Sequence, residues 1–234
     1  MPTFDSGQML TGWPATEAEL EEVQWELGKL WARQQRWQPG PMLRAGGVFV
    51  ATQRGLVGLG AAGDPGWAAA AVCEEGLPLA FATVEGRLGA PYRPGYLALR
   101  EGLLLEQALL ALPIRPDVLV VNATGLDHPR RAGLAIHLGA VLGLPTIGVT
   151  ERRLTAGANP DLAHLVVTKD RARPLVVHPG WQTDLETAVR VVRRLCLRAR
   201  TPEPLREARR LARTARGGTP PTSRGETTSL ETPS

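Results

Sequence analysis

Val118-Leu119-Val120-Val121 is an unbroken apolar run between Asp117 and Asn122, without the polar alternation of a half-solvated strand. A strand of that kind is covered on both faces, so the run predicts the interior of a sheet with helices on either side. A leucine-rich helix is expected over 95–112 and another over 131–142, followed by a second buried strand over 146–150. Upstream, runs rich in Val, Ala and Phe at 45–52, 67–74 and 79–85 are separated by glycine-rich breaks, the pattern of an antiparallel meander. A first helix over 16–38 opens with Thr16 and Glu19 at capping-box spacing and repeats Leu20, Val23, Leu27, Leu30 and Trp31 every three or four residues. Pro39-Gly40-Pro41 stops it. A late strand at 174–178 leads through Pro179-Gly180 to a last helix over 183–200. The fold class expected is α/β: a mixed sheet, antiparallel meander plus parallel strands, flanked by helices.

Composition narrows the partners. The chain has 27 basic and 23 acidic residues, a formal charge of +4, and only Lys29 and Lys169 among its basic residues are lysines. Arginine's planar fork suits bidentate phosphate contacts, so nucleic acid is a permitted partner; a genome-driven arginine bias spread over a solvated surface fits the composition equally well. Cys73 and Cys196 lie in apolar contexts with no C-x-x-C spacing, which signals reduced core residues rather than a zinc site or disulfide. The first residues lack a basic start with an apolar run, and no stretch approaches the roughly 18 apolar residues of a membrane span, so a cytoplasmic protein without a membrane partner is expected. A folded domain is expected over 1–212 and a disordered tail over 213–234, where the stretch from Gly217 is too poor in apolar residues to bury a core.

Two segments carry a resemblance. Pro91-Tyr92-Arg93-Pro94-Gly95, followed by a helix bearing Arg100-Glu101, resembles the Pro-Tyr-x-Pro-Gly signature of the endonuclease V family. The stretch from Pro116-Asp117 through Asn122, Gly125, His128-Pro129-Arg130-Arg131, Gly133, Ala135, His137 and Gly139 to Leu144-Pro145-Thr146-Ile147-Gly148-Val149 keeps that family's spacing throughout, and weaker similarity reaches from Thr16 to Arg210. The resemblance implies a ribonuclease-H-like fold and a monomeric DNA-repair nuclease. Such an enzyme nicks DNA or RNA at the second phosphodiester 3′ to deoxyinosine or inosine, using Mg²⁺ held by carboxylates. It implies that Tyr92, between the stiffening Pro91 and Pro94, is a wedge ring filling the gap left by a displaced base, with Arg93, Arg130 and Arg131 beside the nucleic acid. Gly125 would belong to the pocket for the displaced base, and His128 would approach the scissile phosphate or orient its loop. His137 is read as structural.

The acidic set departs from that pattern. A magnesium ion needs oxygen donors at about 2.0 Å, mostly charged. The family's first-strand aspartate falls at Val48, and no acidic residue lies anywhere in that strand. The second aspartate falls at Asn122, the helix glutamate is kept as Glu101, and an aspartate near the last helix falls at Glu186. The usual lysine after the second buried strand is Glu151, and a histidine of the late strand is Trp181. Catalytic candidates are therefore Glu101, His128 and Glu186, and metal candidates Glu101, Asn122 and Glu186. Each has a plainer reading: Glu101 is exposed on an amphipathic helix, His128 packs under Pro129, Glu186 closes a capping box with Thr183 and Asn122 satisfies a turn, while Glu151 is a solvated ion-pair residue. The expectation is a protein that recognises deoxyinosine-like lesions with cleavage weak or lost. The alternatives are an active nuclease with a rearranged carboxylate cluster of Glu101, Glu151 and Glu186, and a non-catalytic protein-interaction scaffold.

Overall fold

A computed structural model describes residues 2–4, 10–153 and 158–218. A short ribbon of β1 (Thr3–Phe4) and β2 (Leu10–Thr11) precedes helix α1 (Glu17–Arg33). The meander follows as β3 (Arg44–Thr52), β4 (Pro65–Glu74) and β5 (Leu77–Arg87), then α2 (Leu97–Leu110), β6 (Val118–Val121), α3 (Leu134–Leu142) and β7 (Thr146–Thr150). β8 (His164–Val166), β9 (Leu175–Pro179), α4 (Leu185–Leu195) and α5 (Glu203–Arg216) follow among the described residues. One sheet of seven strands has the order β5-β4-β3-β6-β7-β9-β8. β3, β6 and β7 run parallel, and the meander and β8–β9 are antiparallel.

The apolar run at the sheet's centre is covered on both faces. Leu119 and Val121 join Val48, Leu104, Leu105, Leu134 and Leu138 in a core shared with α2 and α3. Val118 and Val120 point the other way, to Val149, Val177, Val191 and Val192 beneath α4. This alternation is the period-two geometry of a strand applied to two apolar layers. On the second face α5 sets Ala208, Leu211 and Ala212 against Ala51, Ala69 and Ala71. The small side chains let the helix lie close to the sheet, and at Gly47 a Cβ atom would fall inside the backbone of Pro204 and Leu205. No helix among the described residues is long and apolar enough to cross a membrane.

Several boundaries differ from the sequence expectation. Thr16 caps α1 as expected, accepting from Glu19 N at 3.2 Å, but the helix ends at Arg33 rather than at 38. The chain leaves it because Trp37 N donates to Gln182 O at 2.8 Å, a tertiary contact invisible to periodicity. α3 starts at Leu134 instead of 131, since the loop before it closes on itself through Gly133 N to Gly125 O at 2.9 Å, with Arg131 at φ 62°. α4 is capped by Asp184, whose Oδ1 accepts from Thr187 N at 2.7 Å, not by a Thr183–Glu186 box. Thr183 is buried and donates to Thr146 O at 2.7 Å. The expected helix over 183–200 is the shorter α4, a further helix α5 that the sequence reading did not expect follows from Glu203, and the boundary at 212 falls inside α5, which continues to Arg216 because Leu211 and Ala212 are anchored on the sheet. Residues 219–234, most of the expected tail, lie outside the described residues.

Candidate nucleic-acid interface

A cleft of about 720 Å³ opens where β6 and β7 end. Glu101 enters from α2, Asn122 and His128 from the loop after β6, Thr150 to Arg153 from the end of β7, and Arg209 and Arg213 from α5. Tyr92 to Gly95, the loop that leads into α2, forms its outer lip, and Val48 and Phe49 of β3 lie in its floor. Charged lining groups are unevenly matched: Arg93, Arg152, Arg153, Arg209 and Arg213 face only Glu101 and Glu151. Carboxyl ends of parallel strands are where open α/β sheets place ligands, and this excess of positive charge suits an anion.

The lip is tied down by a dense set of contacts around Gly95. Its carbonyl oxygen accepts from Gln24 Nε2 at 3.3 Å, Arg130 Nη2 at 3.1 Å and His128 Nε2 at 3.2 Å. His128 is only 2 % exposed, and its Nδ1 accepts from Arg130 N at 3.2 Å, which leaves the ring proton on Nε2. Burial, with the Arg130 guanidinium adding to it, pushes the His128 pKa down to about 4, so the ring is neutral near pH 7. Arg93 and Arg130 both lie over the Tyr96 ring, at 4.4 and 4.6 Å, and the Tyr96 hydroxyl donates to Glu21 of α1. Arg93 also pairs with Glu17. At the other end of the loop, buried Arg100 donates to Ala90 O at 2.6 Å. Tyr92 N donates to Leu59 O at 2.7 Å, while its ring remains 46 % exposed at the mouth of the cleft. A rigid loop thus presents one unshielded aromatic ring.

The floor is poor in free carboxylate. Glu101 is half-buried, and desolvation raises its pKa to about 7, partly offset by Arg100. Val48 is buried and apolar, and Asn122 is uncharged. Glu151 lies 3.3 Å from Arg200 Nη2 and 4.0 Å from Arg209 Nη1, so its charge is already balanced. Glu186 has a side chain 89 % exposed, pairs with Arg190 at 3.8 Å, and lines a separate surface depression beside His164. Among the described residues no three His, Cys, Asp or Glu side chains converge on a point that could hold a metal ion. A divalent cation that relies on charged oxygens does not fit this donor set.

The residues from 59 to 210 match the family model described as Endonuclease V. The chain is 38% identical to an endonuclease V of Streptomyces coelicolor across 91% of its own length and 96% of that protein's. The chain belongs to the endonuclease V family. The crystal structure of endonuclease V from Streptomyces avermitilis superposes with a TM-score of 0.75 at 36% identity, covering 88% of this chain and 96% of that one. Ciona intestinalis endonuclease V in complex with a 24mer DNA containing an inosine shares the fold, with a TM-score of 0.71 at 22% identity over 87% of this chain and 99% of that one.

Measured against the endonuclease V positions expected from sequence, the fold brings Tyr92, Arg93, Pro94, Glu101, Asn122 and His128 to one cleft. Pro91 is exposed beside them, and Arg130 acts from beneath through Gly95. Glu186 is not brought there. Arg131 is exposed on the loop before α3, outside the cleft lining. Gly125 does not face the cleft either; it is buried, and a Cβ there would overlap Pro179 O of β9. Trp181 is buried under Gly139 and α3 and donates its backbone N–H to Thr146 Oγ1 at 2.8 Å. Sequence reading missed a buried bracket under the cleft wall: His178 Nδ1 lies 2.8 Å from Asp127 Oδ1, and His178 Nε2 lies 2.9 Å from Thr150 Oγ1. It also missed Arg209 and Arg213. Their signal was present, since Pro202 and Pro204 announce a helix start, with Leu205, Ala208, Leu211 and Ala212 at helical spacing behind.

Proposed function

We propose that this chain is a nucleic-acid-binding endonuclease V homologue that recognises deoxyinosine-like lesions and whose phosphodiester cleavage is weak or lost. The observation that carries this reading is the cleft itself, where a clamped loop offers an exposed Tyr92 ring and the lining as a whole carries five arginines and two glutamates. Aromatic rings stack on bases whatever their identity, and arginines meet the phosphates that join them. The inosine-containing DNA bound by the Ciona intestinalis protein supports the choice of ligand. Cleavage through a carboxylate-held dication has little support, because among the described residues Glu101 alone remains an unpaired acid in the cleft. The rearranged cluster of Glu101, Glu151 and Glu186 is likewise unsupported, with Glu186 on a different surface and Glu151 engaged by arginines.

A gel-shift titration and a nicking assay on the same deoxyinosine duplex test the proposal together. Retarded complex with little nicking in Mg²⁺ or Mn²⁺ is expected, and affinity should fall as salt rises because arginines displace condensed counterions. Robust, chelator-sensitive nicking by pure protein would sink the loss of cleavage. Absence of any complex at low salt would point instead to the protein-interaction scaffold.

A further inference from the structure

We propose that Arg209 is the phosphate-binding group of the cleft, a guanidinium standing in place of metal charge, so that this chain engages a phosphodiester without any divalent ion. The inference rests on the nucleic-acid reading above and assigns the contact that makes it independent of metal. Three observations lead to it. First, the floor is neutral at Val48 and Asn122 and takes positive charge from α5, a helix whose buried residues Leu205, Ala208, Leu211 and Ala212 aim Arg209 and Arg213, one helical turn apart, at the opening. An anion, not a cation, is what such a floor stabilises.

Second, Arg209 is held in place without using its donors. Its guanidinium lies over the Phe49 ring at 5.1 Å, immediately beside Val48, and its nearest carboxylate oxygen, on Glu151, is 4.0 Å away. That distance orients charge but is too long for a hydrogen bond. Third, Arg209 Nε is buried with no hydrogen-bond partner. A buried N–H without an acceptor carries a desolvation cost that no group of the protein offsets and that a ligand oxygen relieves. The planar fork donates to two oxygens of one phosphodiester side by side, and the aromatic ring beneath prevents the guanidinium from swinging away. Glu151, 4.0 Å from the guanidinium, orients the arginine that supplies the charge.

The test is fluorescence anisotropy of the full chain with a labelled single-stranded oligodeoxynucleotide carrying one deoxyinosine, in EDTA and in magnesium, across a salt series. Equal affinity in the two media is expected. Arg209→Gln should weaken binding about tenfold and lower the salt slope by about one, with partial recovery in Arg209→Lys. Arg210→Gln, which removes the same charge from the exposed side of α5 where Arg210 pairs with Glu207 at 2.6 Å, should change affinity far less. A thermal melt of each variant separates lost contact from lost fold. Binding that needs the divalent ion overturns the proposal. So does metal-independent binding in which Arg209→Gln matches Arg210→Gln, although nucleic-acid recognition would then stand. No binding by the wild-type chain removes both.

Discussion

Replacing His128 with Gln tests whether the lip of the cleft is anchored as the geometry indicates. The imidazole is buried, accepts from Arg130 N and donates to Gly95 O, and its pKa is pushed from 6.5 to about 4. A histidine whose folded pKa is depressed adds stability that is fully present above the unfolded value and is lost as pH falls through the folded one. The window is therefore pH 6.5 down to about 4, and at about 1.4 kcal/mol per pH unit the wild-type chain loses roughly 3 kcal/mol there from this group. Gln cannot take up that proton. Near pH 7.5 the variant should be less stable by about 1–3 kcal/mol, the cost of two impaired hydrogen bonds at a buried position. On acidification the wild-type advantage shrinks, so the two stability curves should converge and meet before pH 4. Urea unfolding followed by tryptophan fluorescence at several pH values measures the gap, and every other titrating group cancels in the difference. A gap that stays constant from pH 7.5 to 4, or widens in acid, would refute both the neutral ring and its anchoring role.

Tyr92→Ala should lose roughly 1–3 kcal/mol of binding to an inosine-containing duplex and much less to undamaged duplex, with Tyr92→Phe near wild type; equal losses on both duplexes in a gel-shift titration would contradict the wedge. Gly47→Ala should destabilise the chain by about 1–3 kcal/mol in a thermal melt and weaken oligonucleotide binding as well, because its Cβ overlaps the first turn of α5 and moves Arg209. Binding loss without any loss of stability would show that α5 is not docked through this contact. The Glu101 carboxyl, raised to about 7, costs stability as pH rises from 4.5 through 7, so Glu101→Gln should gain about 1–3 kcal/mol on wild type at pH 8 and nothing at pH 4.5, as read by denaturant titration. A Glu101→Gln variant that is equally stabilised at both pH values would mean that the carboxyl is not desolvated.

Much of this protein is determined by local pattern alone. The both-sided burial of β6 follows from four adjacent apolar residues, the meander from glycine breaks between β-rich runs, and α1's start from Thr16, because each depends on neighbours within a few positions. The Pro-Tyr-Arg-Pro segment was equally readable, and family membership with it. Tertiary structure decided what depends on residues far apart in the chain. Glu186 could be paired with Glu101 on sequence alone, but the orientation of α4 sends its side chain to solvent. Gly125 read as a pocket residue, yet it is the approach of β9 that demands a residue without a Cβ. Glu151 comes within 4.0 Å of Arg209 only because α5 crosses the sheet and sets that arginine on Phe49, a contact between residues far apart in the chain. Periodicity can announce such a helix, but the sheet face on which it docks is fixed by packing among small residues of β3, β4 and α5 that no local signal encodes.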